Sequence, residues 1–557
     1  MTAIDRRVGF LFLGFMLLLG VALMRATYLG AFKADSLQHA ASSQQIVQTQ
    51  IPATRGAITD RTGVQLAISQ SAADVVADPF LIKHPLPAAQ QLAPLLHKPM
   101  LTVLSELSRH TGYMPLAHQV SGAEAKQIAG LRIDGITTTP DVKRIYPRTW
   151  AASQVLGGVN NAGGDSGLEY FYNRQLEGTA GERRVVFDAR SQPISINEVK
   201  PMGSGKTLKL TLDAALQDQV EQVLAGVGAQ YSPKGATAIV MNPNTGAILA
   251  LANWPRVNAD DPSGAPASAL QDQAVQFNYE PGSTFKAITV AGAIQDGVVT
   301  PTTQLNVPSV LQVADRQIHD AESHSDETLS VAQILKVSSN IGADEIGGRM
   351  GANRFARWVQ RFGFGSKTGV DLPGEQQGIV LPVSKYSGSS MGNLPMGQGE
   401  SVTPIQMATA YSAIANGGYL RPPHIVSAIG GKPQPLPAGH RVISATTAAE
   451  MREMLRGVLA DGGTASGADI PGYDLAGKTG TANVVVNGKY SNSDYIASFI
   501  GMVPASAPKL VVAVMVDEPH GSIYGGSVAA PAFQKIVGWA VPYLGINPDP
   551  GGVRPNP

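Results

Sequence analysis

From Val8 to Met24 the chain carries no charged residue, and Arg6, Arg7 and Arg25 bound the run on its two sides. A helix over these residues is ~26 Å long at ~1.5 Å per residue, close to the ~30 Å hydrocarbon thickness of a bilayer. Arg25 can extend its head group to the interface and the following residues stay largely apolar to Phe32, so one spanning helix over residues 8–29 is expected. A cleaved secretory leader is the competing reading, but its apolar core is usually ~7 to 15 residues and no clear Ala-x-Ala site follows here. The paired arginines keep residues 1–7 in the cytoplasm. Everything after about residue 30 is then expected outside it, in a compartment where nucleotide cofactors are scarce.

Composition narrows the function classes. The 557 residues allow about three or four domains of ~150 residues each. Hydrophobic residues make up 43% and charged residues only 15%, so a large core can form and disorder of the whole is excluded. Lys plus Arg is 42 and Asp plus Glu is 42; a net charge of zero offers no field for a polyanion, which disfavours nucleic acid as a ligand. The absence of cysteine removes disulfides, Cys-ligated zinc, iron-sulfur clusters and a thiol nucleophile together, and suits an exported protein.

Residues 30–50 read as a polar, Ala/Gln/Ser-rich stalk, with an extended segment beginning at Ile51-Pro52. Residues 51–205 mix β-type runs (Ile136 to Thr139, Arg184 to Phe187) with helical ones (Leu101 to Arg109, Ala123 to Leu131), punctuated by glycine pairs at 157–158 and 163–164. This is the pattern of an irregular α+β module. After Gly203-Ser204-Gly205 the character changes. A strand over Leu208 to Leu212 meets Asp213, a natural N-cap for the helical run Ala214 to Leu224. Ala236 to Met241 and Ala247 to Ala252 flank an Asn-Pro-Asn-Thr-Gly turn and predict a hairpin. Further strands are expected at Lys478 to Val486, Ile496 to Val503 and Leu510 to Val516, and a helix from about Pro531 to Val541. Over residues 206–545 the order predicts an α+β fold: an antiparallel sheet flanked by terminal helices, with a helical insert. Residues 546–557 are Pro/Gly-rich and read as a disordered tail.

Several segments could carry chemistry. Gly203-Ser204-Gly205-Lys206-Thr207 imitates the end of a phosphate-binding loop, but Lys200 stands where that motif needs glycine, so an interdomain turn is the better reading. His319, Asp320 and His324 could gather a metal, yet no His-Glu-x-x-His spacing exists and loop polarity accounts for them; no metal and no cofactor are expected. Ser283-Thr284-Phe285-Lys286 precedes a helical run, Ala287 to Ile294. Residues three apart on a first helical turn share a face, so Lys286 can reach the Ser283 hydroxyl, and backbone donors at that helix end suit a developing oxyanion. Alone, the pattern is equally that of a helix cap, and Ser506-Ala507-Pro508-Lys509 repeats the spacing, though with a proline and no helical run. Two further segments tip the balance: Ser338-Ser339-Asn340 and Lys478-Thr479-Gly480-Thr481. The order Ser-x-x-Lys, Ser-x-Asn, Lys-Thr-Gly is the set found in penicillin-binding proteins and class A β-lactamases. A second Lys-Thr-Gly, Lys367 to Gly369, lies among glycines and Pro373, whereas Lys478 opens a β-rich run; Lys478 is the choice.

On these motifs the chain resembles the class B penicillin-binding proteins, the monofunctional peptidoglycan transpeptidases, over nearly its full length. The segment Arg55 to Gly63, Arg144-Ile145-Tyr146-Pro147, Gly167-Leu168-Glu169 and Leu176-Glu177-Gly178 resemble the family's pedestal domain; Gly397-Gln398-Gly399, Thr403 to Ala408 and Ala415 to Gly418 resemble its transpeptidase core. The resemblance implies the penicillin-binding serine-transpeptidase fold on an irregular α+β pedestal, with one N-terminal transmembrane helix. It implies acyl transfer by Ser283, with Lys286 as base once burial or nearby Lys478 lowers its affinity for protons, Ser338 as proton relay, and Asn340 orienting Lys286. The backbone N–H groups of Ser283 and Thr481 are the implied oxyanion hole, and Lys478, Thr479, Gly480 and Thr481 the implied carboxylate site. Implied partners are peptidoglycan stem peptides, β-lactam antibiotics, the membrane, divisome proteins and a polytopic membrane glycosyltransferase of the shape, elongation, division and sporulation class, since residues 30–205 lack a Glu-Asp-x-x-Phe glycosyltransferase signature. A β-lactamase is disfavoured because no Glu-x-x-Leu-Asn follows Asn340. Leu66-Ala67 leading to Val76-Ala77-Asp78-Pro79, and the stretch from Gln317 to Asn340, look more like the division type; an elongation type, or a non-enzymatic β-lactam sensor or division scaffold, are the alternatives.

Overall fold

The structure is a computed structural model that describes residues 3–33, 46–160, 162–187 and 193–549. Its described residues group into two compact units, one from 1–55, 69–143 and 178–205, the other from 56–68, 144–177 and 206–557.

The first unit begins with helix α1 (Ala3–Thr27), and residues Arg6–Ala31 are long and apolar enough to cross a membrane. Beyond it come β1 (Ile46–Ile51), β2 (Gln65–Ala77, within this unit from Ser69), α2 (Pro85–Leu95), α3 (Met100–Leu107), β3 (Met114–Ser121), α4 (Gly122–Gly130), β4 (Ile136–Ile145), β5 (Gly181–Phe187) and β6 (Pro193–Lys200). Strand β2 pairs with β3 and β4, and helices α2 to α4 bury Leu92, Val103, Leu107 and Ile128 with Val75 and Leu116 of the strands. A separate antiparallel sheet runs β1-β5-β6. The strand expected from Arg184 starts at Gly181 because Ile51 of β1 pairs with it there, a gain from long-range pairing that local propensity cannot register. The extended segment expected from Ile51 likewise starts at Ile46; most of the expected stalk, residues 34–45, lies outside the described residues.

The second unit holds α5 (Ala214–Tyr231), the hairpin β7 (Gly235–Met241) and β8 (Ile248–Trp254), α6 (Lys286–Gln295), α7 (Val331–Val337), α8 (Asn340–Met350), α9 (Pro404–Ala415), β9 (Ala476–Val486), β10 (Lys489–Val503), β11 (Leu510–Asp517) and α10 (Gly525–Tyr543). The strands form one antiparallel sheet in the order β8-β7-β11-β10-β9, so β9 lies at an edge. Val512, Val514 and Val516 point into one core with Leu216, Leu224, Phe533 and Ile536 of α5 and α10, while Val511, Ala513 and Met515 point into another with Ile288, Tyr411 and Phe285. Both faces are covered, which is why these strands read as continuous apolar runs rather than alternating ones. Each fully buried Val, Leu or Phe contributes about 1.5–3 kcal/mol.

Asp213 caps α5 as expected, accepting from the N–H groups of Ala215 and Leu216 at 3.2 Å. Helix α10 differs from expectation: it starts at Gly525, six residues before Pro531. Proline inside a helix orphans the carbonyl four residues back, and here the Ser527 carbonyl accepts a hydrogen bond from the Tyr231 hydroxyl at 3.1 Å. The disordered tail expected from residue 546 is also corrected at its start. Ile546 N–H donates to the Val541 carbonyl, and the Asp549 carboxylate accepts from Asp474 N–H at 3.0 Å; residues 550–557 lie outside the described residues.

Four segments singled out in the sequence converge within this unit. Arg144 donates from Nε to Glu169 Oε1 at 2.7 Å and from Nη1 to the Gly56 carbonyl at 2.9 Å, and Gly56 N–H donates to the Leu176 carbonyl at 2.8 Å. The Arg144 and Glu169 side chains are 3% and 0% exposed. A buried guanidinium and carboxylate thus tie together segments that are scattered over a hundred residues of sequence.

Candidate active site

Ser283 sits on a 3-10 turn, Gly282–Phe285, and α6 begins only at Lys286. In a 3-10 turn residues i and i+3 eclipse, so Ser283 and Lys286 still share a face. Three hydrogen bonds fix the turn: Gly282 N–H to the Gly397 carbonyl (3.0 Å), Thr284 Oγ1 to the Pro281 carbonyl (2.7 Å) and the Tyr411 hydroxyl to the Thr284 carbonyl (2.7 Å). Gly282 has φ +53°, and a Cβ there would lie 3.1 Å from the Thr481 carbonyl oxygen and from Ala482 Cβ. Ser283 is half-buried between fully buried neighbours, and its hydroxyl has no hydrogen bond among the described residues.

The Lys286 amine is engaged elsewhere than the sequence suggests. Nζ, wholly buried, donates to the Ser338 carbonyl at 2.6 Å and to Asn340 Oδ1 at 2.7 Å, with a longer contact to Ser338 Oγ at 3.4 Å. Burial lowers its pKa to about 8, against the opposing pull of Asp320 and Asp344. In the neutral amine the two short bonds use both hydrogens and leave the lone pair for a proton from Ser283. Lys478, also wholly buried, donates to Ser338 Oγ at 2.8 Å; burial first and the neighbouring Lys286 second hold its pKa well below the ordinary lysine value. The Ser338 hydroxyl is therefore in contact with both lysine nitrogens.

Local structure delivers Ser338 and Asn340 to that point. Helix α7 ends on Ser338 in the left-handed conformation (φ +63°), which turns the chain sharply into α8. Ser339 is the N-cap of α8 and accepts from Gly342 N–H at 2.9 Å, which accounts for a hydroxyl at the middle position of the motif. Asp320 accepts from the N–H groups of Asn340 (2.5 Å) and Ile341 (3.0 Å), and the His319 carbonyl accepts from Asn340 Nδ2 at 2.9 Å. Asp320 Oδ2 also lies 3.2 Å from His324 Nε2. The loop polarity read for His319, Asp320 and His324 thus has a specific task in holding Asn340. The sequence carried no local signal for it, because Asp320 caps a helix that starts 20 residues later.

The Lys-Thr-Gly segment lies on edge strand β9, with Lys478 opposite Ile500 and Thr481 opposite Ala497. Gly480 is required by close approach: a Cβ would come within 2.4 Å of Ser498 Oγ and 3.1 Å of the Pro281 carbonyl. Thr479 Oγ1 contacts Thr464 Oγ1 at 2.7 Å, and Thr481 Oγ1 accepts from Gly525 N–H at 3.1 Å. The rival segments sit otherwise. Lys367 is exposed, and Thr368 and Gly369 bind the Glu375 carboxylate in a loop. Ser506 is exposed and donates to Asp549. Tyr411, which holds the nucleophile turn from α9, had no sequence signal of its own beyond the Thr403 to Ala408 segment that starts that helix.

The three segments Ser283 to Lys286, Ser338 to Asn340 and Lys478 to Thr481 meet beside one sheet with helices over both faces, the arrangement of a serine acyltransferase of the penicillin-recognising kind. Residues 236–538 match the penicillin binding protein transpeptidase domain and residues 50–210 the penicillin-binding protein dimerisation domain. Stage V sporulation protein D of Bacillus subtilis is 36% identical over 511 residues, which cover 89% of this chain and 79% of that one. Peptidoglycan D,D-transpeptidase FtsI of Escherichia coli is 31% identical, over 96% of this chain and 91% of that one. Among solved structures, penicillin-binding protein 3 of Mycobacterium tuberculosis complexed with aztreonam superposes with a TM-score of 0.71 at 29% identity, over 91% of this chain and all of that one. The chain belongs to the class B penicillin-binding proteins, of the penicillin-binding protein 3 and FtsI type, and is a serine-type peptidoglycan D,D-transpeptidase.

Proposed function

We propose that Ser283 is the nucleophile and that the cross-link forms through a seryl-enzyme. Ser283 Oγ attacks the carbonyl carbon of the penultimate D-alanine of a stem peptide while its proton passes to Lys286 Nζ. The bond to the terminal D-alanine breaks, and the leaving amine takes a proton through the Ser338 hydroxyl. An amine of a neighbouring stem then attacks the ester, loses its proton by the same route and regenerates Ser283. The observation that carries this reading is the Ser338 hydroxyl in contact with two buried lysines, a route for protons in both directions. Asn340 keeps Lys286 in place and has a second amide hydrogen for the substrate. The backbone N–H groups of Ser283 and Thr481 form the oxyanion hole, a reading supported by the close approach of Gly282 to Thr481. Thr481 Oγ1 accepts from Gly525, which frees its own hydrogen for the substrate carboxylate, beside Thr479, Gly480 and the positive field of Lys478. Edge strand β9 offers unpaired backbone groups to an extended stem peptide. A β-lactam carbonyl acylates Ser283 by the same attack and blocks it.

Residues 51–205 serve as pedestal and 206–545 as catalytic domain, bounds close to the two family matches. The protein acts in septal wall synthesis as a monofunctional, single-pass membrane protein with its catalytic domain outside the cytoplasm. A membrane glycosyltransferase of the shape, elongation, division and sporulation class supplies the glycan, with divisome proteins as further partners; Gly9, Gly14 and Gly20 of α1 permit close helix approach. Support comes from the apolar helix and from relatives that include FtsI.

Fluorescent penicillin tests the assignment. Wild type and Ser506→Ala should label and Ser283→Ala should not; label on folded Ser283→Ala refutes it. Turnover of a stem-peptide analogue separates the enzyme from a non-enzymatic sensor.

A further inference from the structure

In the second unit most buried acids accept hydrogen bonds. Asp60 accepts from Thr62, Val64 and Ala214, and Asp371 from Ile425, Val426 and Tyr172. Among the described residues, two carboxyl groups have both oxygens fully enclosed and neither hydrogen-bonded: Glu400 and Asp344. The charged group that acts on Glu400 is another acid, Glu280. Asp344 acts on Lys286.

Asp344 lies on α8 one turn after Asn340, the residue that holds the Lys286 amine, and is 3% exposed. A buried ionised carboxylate without donors is costly, and a cation nearby offsets part of that cost. The charged groups that act on Asp344 are Lys286 from α6, Asp320 from the loop that caps α8, and Glu345 on its own helix; burial raises its pKa to about 8. On Lys286 the acids that act are Asp320 and Asp344, with Lys478 across the Ser338 hydroxyl. Asp320 already holds two backbone N–H groups and faces His324. Asp344 has no such task, and helix capping and solvation do not explain it.

We infer that Asp344 is a positioning residue that acts through Lys286, supplying the negative partner for the ammonium that forms as the lysine takes the Ser283 proton and so setting the base strength of that lysine. The inference rests on Lys286 as the base. Asp344 is ionised where Lys286 is neutral, and the one proton that moves in the step passes from Ser283 Oγ to Lys286 Nζ. With Lys286 protonated, an ionised Asp344 stabilises the ammonium. Without the carboxyl, the ammonium is less stable and Lys286 loses its proton at lower pH.

The test is the pH dependence of acylation by a fluorescent penicillin, measured as a second-order rate on the full chain in detergent. Because the base must be neutral, the wild-type rate rises with pH on an acid limb governed by Lys286. Asp344→Asn keeps the shape and removes the charge; the acid limb should move down by about half a unit to one unit, with a lower plateau as the base weakens. Asp344→Ser gives a second, smaller replacement should the amide not fold. An acid limb that stays in place or moves up in a folded variant overturns the inference, even if the plateau falls, because a purely structural role lowers the rate without moving the limb. Ser283→Ala run alongside keeps the two readings apart. Label on that variant refutes the catalytic assignment, whereas a silent Ser283→Ala with an unmoved Asp344→Asn limb refutes only the role of Asp344.

Discussion

Replacing Glu169 by alanine leaves the Arg144 guanidinium 3% exposed with its carboxylate gone. Breaking one partner of a buried pair costs about 3–5 kcal/mol, because the remaining charge keeps its desolvation penalty and loses its compensation. The unit that holds the pair has roughly 400 residues. At about 2.1 cal/mol/K per residue its unfolding entropy is about 0.8 kcal/mol/K, so the midpoint should fall by about 4–6 °C. The double variant Arg144→Met/Glu169→Leu removes both charges and keeps most of the volume; it should recover at least half of that loss. Thermal scans of the full chain in detergent, with covalent penicillin labelling before each scan to count native molecules, give all three midpoints. A fall under 1 °C for Glu169→Ala, or a double variant no more stable than the single one, refutes the reasoning that the pair is a coupled buried charge.

Gly480→Ala should slow penicillin acylation by about tenfold or more with little change in fold, since the new methyl forces β9 away from the Pro281 carbonyl and Ser498; an unchanged rate refutes the close-approach argument. An alkaline phosphatase fusion after residue 50 should be active in a bacterial host, and a stable but inactive fusion overturns the external placement. Depletion in a rod-shaped host should give filaments with the protein at septa; rounded cells with dispersed protein favour the elongation role and leave the transpeptidase assignment as it is.

What the sequence shows of the site is what local geometry encodes. Ser283 with Lys286, Ser338 with Asn340 and the Lys478 strand are each confined to a turn or a strand, and their residues can be read together. How those pieces bind one another is set by contacts across the fold. Lys286 points to Ser338 and Asn340 rather than only along its own helix, and Asp320 caps α8 from a distant loop. Gly525 looks like linker glycine, yet a Cβ there would lie 2.3 Å from the Gly480 carbonyl. The early start of α10 has a related reason: Pro531 signals a helix start, yet the Ser527 carbonyl that it orphans is taken by the Tyr231 hydroxyl, on a helix some 300 positions away. Strand ends differ from the composition-based bounds where a partner strand extends them, as at Gly181, because pairing rather than composition decides them.

The central sheet also dictates when this protein can fold. Strand β11 sits in the middle of it, yet it is made last: Ala236 pairs with Val516. At about 5 to 20 residues per second of synthesis, hairpin β7-β8 waits roughly a quarter of a minute to a minute for its neighbour. Through that interval it presents an unpaired strand edge and two apolar faces. The nascent chain therefore carries an aggregation-prone edge while it is synthesised, and a product truncated before Leu510 lacks the strand that joins the hairpin to the catalytic edge. The sheet that carries the catalytic edge is thus closed only when β11 arrives.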